Sequence, residues 1–428
     1  MQEDFLHYIW RFRKFDFSSA KTVSGYPVTI IHPGTHNHNS GPDFFNARVQ
    51  IGEQLWAGNV EIHIKSSDWY AHHHETDPAY DNVILHVVWQ DDVEIFRLDN
   101  SIIPTVELKD LVKPPTLDAY KNLLLAPNAR WINCENEFHK FDDFAISNWL
   151  ERIYLERLQE KQKVITDLLE KSGNNWEETL FKLLARNFGL NVNGNAFSSM
   201  AQSIPFSVIR KNRDSAFSLE ALFLGQASIL EERLEEIYYQ ELQKEYQFLK
   251  RKYQLENKYV ERPKFFRLRP DNFPNIRLSQ LASLYHKMTH LFSEFMKPKD
   301  ILEIYSILEV GTSEFWKTHY SFKKSHSPKS KMVTKPLMDL LIINTIVPFK
   351  FTYQQLTGTG NSDELLEIMA QVSPEQNTLV NRYNKIRPRT AQNAMQSQAL
   401  LQLKKEYCDK NRCLKCNLGA GLLQGNRE

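Results

Sequence analysis

Hydrophobic and polar positions change rhythm once along this chain, near residue 115. Before that point, short runs rich in Val, Ile, Phe and Trp alternate with polar residues and are bounded by Gly, Pro and Asn, the pattern of short strands. An opening helix is predicted over Phe5–Phe15, followed by strands at 26–31, 46–51, 55–65, 83–89, 93–98 and 102–108. The links Gly52-Glu53-Gln54 and Gln90-Asp91-Asp92 are short enough to close hairpins, so much of the sheet should be antiparallel. From about residue 141 the apolar period lengthens. Ile146, Trp149, Leu150 and Ile153 fall at i, i+3, i+4 and i+7, and Leu230, Leu234, Ile237, Tyr238 and Leu242 form a second core-facing stripe. Further helices are expected at 176–188, 278–295, 335–346, 362–370 and 391–407. The fold class is therefore α+β: an N-terminal mixed or antiparallel β-sheet domain over residues 1–115, then a large, predominantly α-helical body over 116–428 that ends in a cysteine cluster.

Composition narrows the function classes. The chain has 428 residues, 42% of them hydrophobic and 25% charged, which fits a folded protein with more than one core and excludes disordered and collagen-like chains. Its 53 basic and 52 acidic side chains leave a net charge of +1, so no whole-chain field draws it to nucleic acid or anionic lipid. Such a partner would need a local patch. No apolar run approaches the roughly 20 residues of a membrane span, and the opening MQEDFLHYIWRFRKF is too charged for a secretory leader. The expectation is a cytoplasmic protein with no membrane partner; its sequence points to no particular protein partner.

Histidine is concentrated at one end. Nine of the 14 histidines lie in the first 86 residues: His7, His32, His36, His38, His63, His72, His73, His74 and His86. Asp43 stands just before one strand and Glu61 inside the next, with a tight turn between them, so a hairpin brings the two carboxylates together. Alternation puts Glu61, His63 and Lys65 on one strand face and Val60, Ile62 and Ile64 on the other. Paired carboxylates hold a hard divalent cation such as Mg or Mn, which lowers the pKa of bound water and offsets charge on a phosphoryl oxygen. The candidate catalytic residues are Asp43, Glu61, His63 and Lys65. His74, Asp77 and His86 extend the possible metal ligands, and so many imidazoles would suit Zn, Mn or Fe better than Mg. The alternative for Asp43 and Glu61 is a turn cap and a solvated acid on the sheet.

The four cysteines are Cys134, Cys408, Cys413 and Cys416. The last three, in YCDKNRCLKCNLG, have the spacing of a thiolate knuckle, and Cys134 supplies the fourth ligand for Zn or an iron–sulfur cluster. Buried free thiols are the alternative. The segment RPKFFRLRPDNFPNIRLSQLA sets Arg262, Lys264, Arg267, Arg269 and Arg277 among Phe265, Phe266 and Phe273, a mixture that can grip phosphates and stack on bases, or else a connector with core aromatics. Lys317–Lys335 carries six lysines and is expected to be an exposed loop. Phosphate-loop, dinucleotide-binding and serine-hydrolase motifs are absent.

Two resemblances follow. Pro42-Asp43 before one strand and Glu61-Ile62-His63 on the next resemble the PD-(D/E)xK nuclease superfamily over about 25 residues, with His63 where that pattern has lysine and Lys65 two residues later. The resemblance implies a metal-dependent phosphodiesterase or nuclease acting on nucleic acid, with Asp43 and Glu61 on the metal and His63 or Lys65 assisting. A noncatalytic nucleic-acid-binding or scaffold protein, or a histidine-rich metalloenzyme that is not a nuclease, are the alternatives. Over nearly its whole length, through SGPDFFNARVQIG, WAGNVEIHIKSSDW, YDNVILHVVW, FSLEALFLGQA, RPDNFPNIRLSQLA, LIINTIVPFKF and QSQALLQLKKEYCDKNRCLKCNLG, the chain resembles an uncharacterised bacterial family of unknown function. That family has no established activity to carry over.

Overall fold

The computed structural model describes residues 1–37, 40–125, 130–297, 300–360 and 362–423; His38 lies outside them. The chain forms two compact units, one of residues 1–149 with 403–428, the other of residues 150–402. The division therefore differs from the one expected at residue 115: the cysteine-bearing C-terminal segment belongs with the sheet. The fold class is α+β, with the sheet in the first unit and helices filling the second.

The sheet unit opens with helix α1 (Glu3–Arg11), whose Phe5, Leu6, Tyr8, Ile9 and Trp10 are buried. Strands β1 (Val28–His32), β2 (Thr35–His36), β3 (Phe44–Ile51), β4 (Gln54–Lys65), β5 (Val83–Gln90) and β6 (Thr105–Glu107) form one mixed sheet in the order β1-β3-β4-β5-β6, with β2 also on β3. The β3–β4 pair is the antiparallel hairpin read from Gly52. The β4–β5 pair is parallel, because helix α2 (Asp68–Ala71) and two short 3₁₀ turns carry the chain back to the starting edge. The second expected hairpin does not form: β5 and β6 are parallel, and 93–98 has only a single bridge, Phe96 to Ile102. There the Ser66 hydroxyl takes the Asp92 and Val93 amides at 2.8 and 3.0 Å, so a side chain replaces a ladder.

In the helical unit, Trp176–Phe188 is a helix as expected, capped by Asn175, whose side chain accepts from the Glu178 amide. Expected segment 278–295 is two helices, Pro274–Lys287 and Leu291–Met296, and 335–346 runs on through a π-helical stretch into Val347–Thr357. The second apolar stripe starts later than expected. Residues 231–236 are not helical, Ile237 is exposed, and the helix Ile237–Tyr253 buries Tyr239, Leu242, Tyr246 and Leu249 instead.

Candidate metal centre

The centre forms where the chain entering β3 meets the middle of β4. The Asn37 side-chain amide donates to the Ser40 and Pro42 carbonyls, each at 3.1 Å, and its backbone amide donates to the Asp43 carbonyl at 2.7 Å. This closes a loop that delivers Asp43 to the start of β3. Asp43 and Glu61 are then tied reciprocally. The Asp43 amide donates to Glu61 Oε2 at 3.0 Å, and the Ile62 amide donates to Asp43 Oδ2 at 3.0 Å. From α1, His7 Nε2 lies 3.1 Å from Asp43 Oδ2.

Period-two alternation puts His63 on the same face of β4 as Glu61. That face is not the half-solvated surface its polar residues suggest, since Glu61 and His63 are 5% and 2% exposed. Glu61 Oε1 sits 3.6 Å from His63 Nε2 and 3.4 Å from His74 Nε2. His63 Nε2 in turn sits 3.1 Å from His72 Nδ1. One ligand nitrogen from each of His63, His72 and His74 lies within 4.8 Å of the others, a spacing at which the three could hold a metal ion. The backbone between β4 and β5 creates this convergence. His73 adopts the left-handed conformation at φ 60°, ψ 33°, a region that histidine enters more readily than most residues. His74 is stacked on Tyr80 with centroids 3.8 Å apart, which holds its ring toward Glu61.

Behind His63 stands His86, fully buried on β5 and directly opposite Glu61 in the parallel register. His86 Nε2 is 2.8 Å from His63 Nδ1, and His86 Nδ1 has no hydrogen-bond partner. Burial, followed by the charges of His74, His72 and His7, pushes His63 down to about 3. Burial and His63 push His86 well below the ordinary imidazole value. Both rings are therefore neutral near pH 7. With the His63 proton on Nδ1 and donated to His86, the Nε2 lone pair is directed at the cluster, the tautomer a metal-ligating histidine needs. Burial, followed by Asp43, holds Glu61 far above the usual carboxylate range. His7 is raised: burial alone would lower it, but the hydrogen bond and charge of Asp43 outweigh that.

Other expected residues are elsewhere. Lys65 is half exposed, with its ammonium 3.8 Å from Asp92, so it serves the far end of β4. Asp77 is exposed and caps a 3₁₀ turn by accepting from the Ala79 amide at 2.9 Å. His86 supports His63 from behind and is not one of the three converging imidazoles. His72, not singled out among the expected ligands, is. His7, counted among the histidines but not among the expected ligands, also joins the centre through Asp43. Cys134, Cys413 and Cys416 are buried and Cys408 is partly so; no disulfide joins them.

The basic–aromatic segment is partly structural. Arg277 is buried and donates to Gln280 Oε1 at 2.8 Å and to Asn272, so it is withdrawn from any phosphate. Arg262 pairs with Glu231, and the Lys264 amide donates to Asn193 at 2.7 Å. Arg267 lies over the exposed Phe266 ring at 5.1 Å, and Arg269 is exposed. The lysine-rich segment is not simply a solvated loop either. Lys317, Lys323, Lys329 and Lys335 are ion-paired, and Lys331 is buried against the Trp316 and His319 carbonyls.

Residues 3–378 match the family described as "Protein of unknown function (DUF2851)". The chain belongs to this family. The matched region contains every residue of the histidine–carboxylate centre and ends before Cys408. No curated protein and no solved structure matches the chain. No helix among the described residues is long and apolar enough to cross a membrane.

Proposed function

We propose that this protein is a metal-dependent hydrolase whose ion is held by His63, His72, His74 and Glu61. The observation that carries this reading is the convergence of three imidazole nitrogens, two of which also approach the buried Glu61 carboxylate. Three nitrogens and one oxygen favour Zn, Mn or Fe over Mg. The donor set fits such an ion. A divalent cation would supply the charge that lets Glu61 ionise despite its burial, and His86 fixes the tautomer of one ligand from behind. Bound metal would supply an activated water near neutral pH. Asp43 and His7 are placed to orient that water or accept its proton.

A second reading, phosphodiester cleavage of nucleic acid, is favoured by the reciprocal Asp43–Glu61 bonds, which join the two acids of the nuclease-like pattern. In that case His63 stands in for the lysine of the pattern, because Lys65 is engaged by Asp92. The test is metal analysis of the purified protein, followed by assays with a chromogenic phosphodiester, a chromogenic carboxylic ester and single- and double-stranded DNA and RNA, with Zn, Mn, Fe or Mg added. Metal-dependent turnover of any substrate that is lost in Glu61→Gln supports the hydrolase. Cleavage of nucleic acid supports the second reading. Failure of every metal to bind would remove both, whereas binding without turnover would leave a noncatalytic scaffold.

A further inference from the structure

We infer that Cys134, Cys408, Cys413 and Cys416 bind an iron–sulfur cluster that staples the C-terminal segment to the sheet unit, a centre separate from the histidine–carboxylate site. These are all four cysteines of the chain, and Cys408, Cys413 and Cys416 belong to the same compact unit as Cys134. Three of the four are at most 8% exposed.

A polar bridge ties the cysteine-bearing segments together. Asn133, beside Cys134, directs its side-chain amide to Cys413 Sγ at 3.3 Å and to Asn411 Oδ1 at 3.1 Å, tying the lone cysteine's segment to the C-terminal turn. A neutral thiol is a weak acceptor, whereas a metal-bound thiolate uses such a donor. The turn itself is tight. The Cys416 amide donates to the Cys413 carbonyl at 3.2 Å, and a β-carbon at position 419 would stand 2.3 Å from that carbonyl oxygen, so only glycine fits. Lys404, Lys405, Lys410 and Lys415 pair with Asp409, Glu406 and Asp4, and with Arg412 they leave a local excess of positive charge, which suits the net negative charge of a cluster held by four thiolates.

Spacing bears on the choice between iron–sulfur and zinc. Four thiolates on one zinc, with bonds of about 2.3 Å, bring their sulfurs to within about 4 Å of one another. The histidine trio meets a mutual limit of 4.8 Å among the described residues, and no three of the cysteine sulfurs do. A wider cage spans several metal atoms.

The test uses the full chain purified without oxygen. A brown protein with broad visible absorption, containing iron and acid-labile sulfide in equal amounts, is the expected result. Cys408→Ser, at the most exposed of the four positions, should lower both together while the histidine centre still takes up its own metal. One zinc per chain that is lost on cysteine substitution would overturn the cluster, as would protein containing neither zinc nor iron at the thiols. Because Cys413 is buried in the tight turn, its replacement also perturbs folding, and the decision rests on wild-type iron and sulfide together with the Cys408→Ser comparison.

Discussion

His63 is engaged on both ring nitrogens, by His86 on one side and by His72 and Glu61 on the other, so its orientation is set before any ion arrives. Supporting hydrogen bonds of this kind are typically worth about 10–100-fold in metal affinity. Replacing His86 with Leu should therefore weaken metal binding by about that factor with the sheet intact, as read by metal titration beside circular dichroism; unchanged affinity would make His86 a core residue only. Lys65→Ala makes the opposite case. Its partner Asp92 is at the far end of β4, and an exposed pair contributes about 0–1 kcal/mol, so metal affinity and the unfolding midpoint should both stay nearly unchanged. A large loss of turnover in that variant would restore Lys65 to the chemistry. Strand alternation is enough to put Glu61 and His63 on one face, and the preceding turn is enough to bring Asp43 near. What alternation cannot show is which histidine of the 72–74 run faces inward, because that depends on the positive φ of His73, a feature of one backbone bend with no periodic signature.

At the scale of elements, period and boundary were legible to different degrees. The β3–β4 hairpin and the helix Trp176–Phe188 follow directly from apolar spacing and turn or cap residues. The stripe from Leu230 misled because residues 231–236, EERLEE, have one apolar side chain to bury, and the Gln243 and Gln240 side chains donate to the Leu230 and Leu234 carbonyls at 2.7 and 3.0 Å. Side-chain bonds hold that stretch as a loop although its spacing is helical. Gly225 shows packing prevailing over propensity. It is next to last in the helix Ala216–Gln226, which packs on Ile237–Tyr253; alanine is favoured over glycine by at most about 1 kcal/mol in a helix, yet a β-carbon here would lie 2.1 Å from the Tyr246 ring. Overpacking costs about 1–3 kcal/mol, so Gly225→Ala should lower stability despite its better propensity. Equilibrium denaturation would show this as a lower urea midpoint, and a raised midpoint would mean that the two helices can move apart freely.

At the scale of the whole molecule, a near-zero net charge conceals where individual charges lie. Composition gives no global field, but it could not show that Lys323 and Lys329 are paired, since their partners Glu232 and Asp271 are distant in sequence. The same applies to Lys161, which lies in the helical unit and donates to the Ile343 carbonyl and Asn344 Oδ1, each at 3.0 Å, and to Gln398 Oε1 at 3.2 Å. Burial, reinforced by the charge of Arg157 and only partly offset by Glu375, brings it down to about 7 from 10.5. The unfolded chain keeps this proton up to the higher value, while the folded unit releases it near the lower one. Between them the unfolded state binds more protons, so this group makes stability rise with pH. Its penalty is fully present below about pH 7 and is relieved as pH climbs toward 10.5. Urea midpoints measured across that window should therefore carry an upward component that Lys161→Met removes, whatever the variant's absolute stability, since the methionine cannot titrate. Parallel pH profiles for the two proteins would mean that Lys161 stays charged in the folded state throughout.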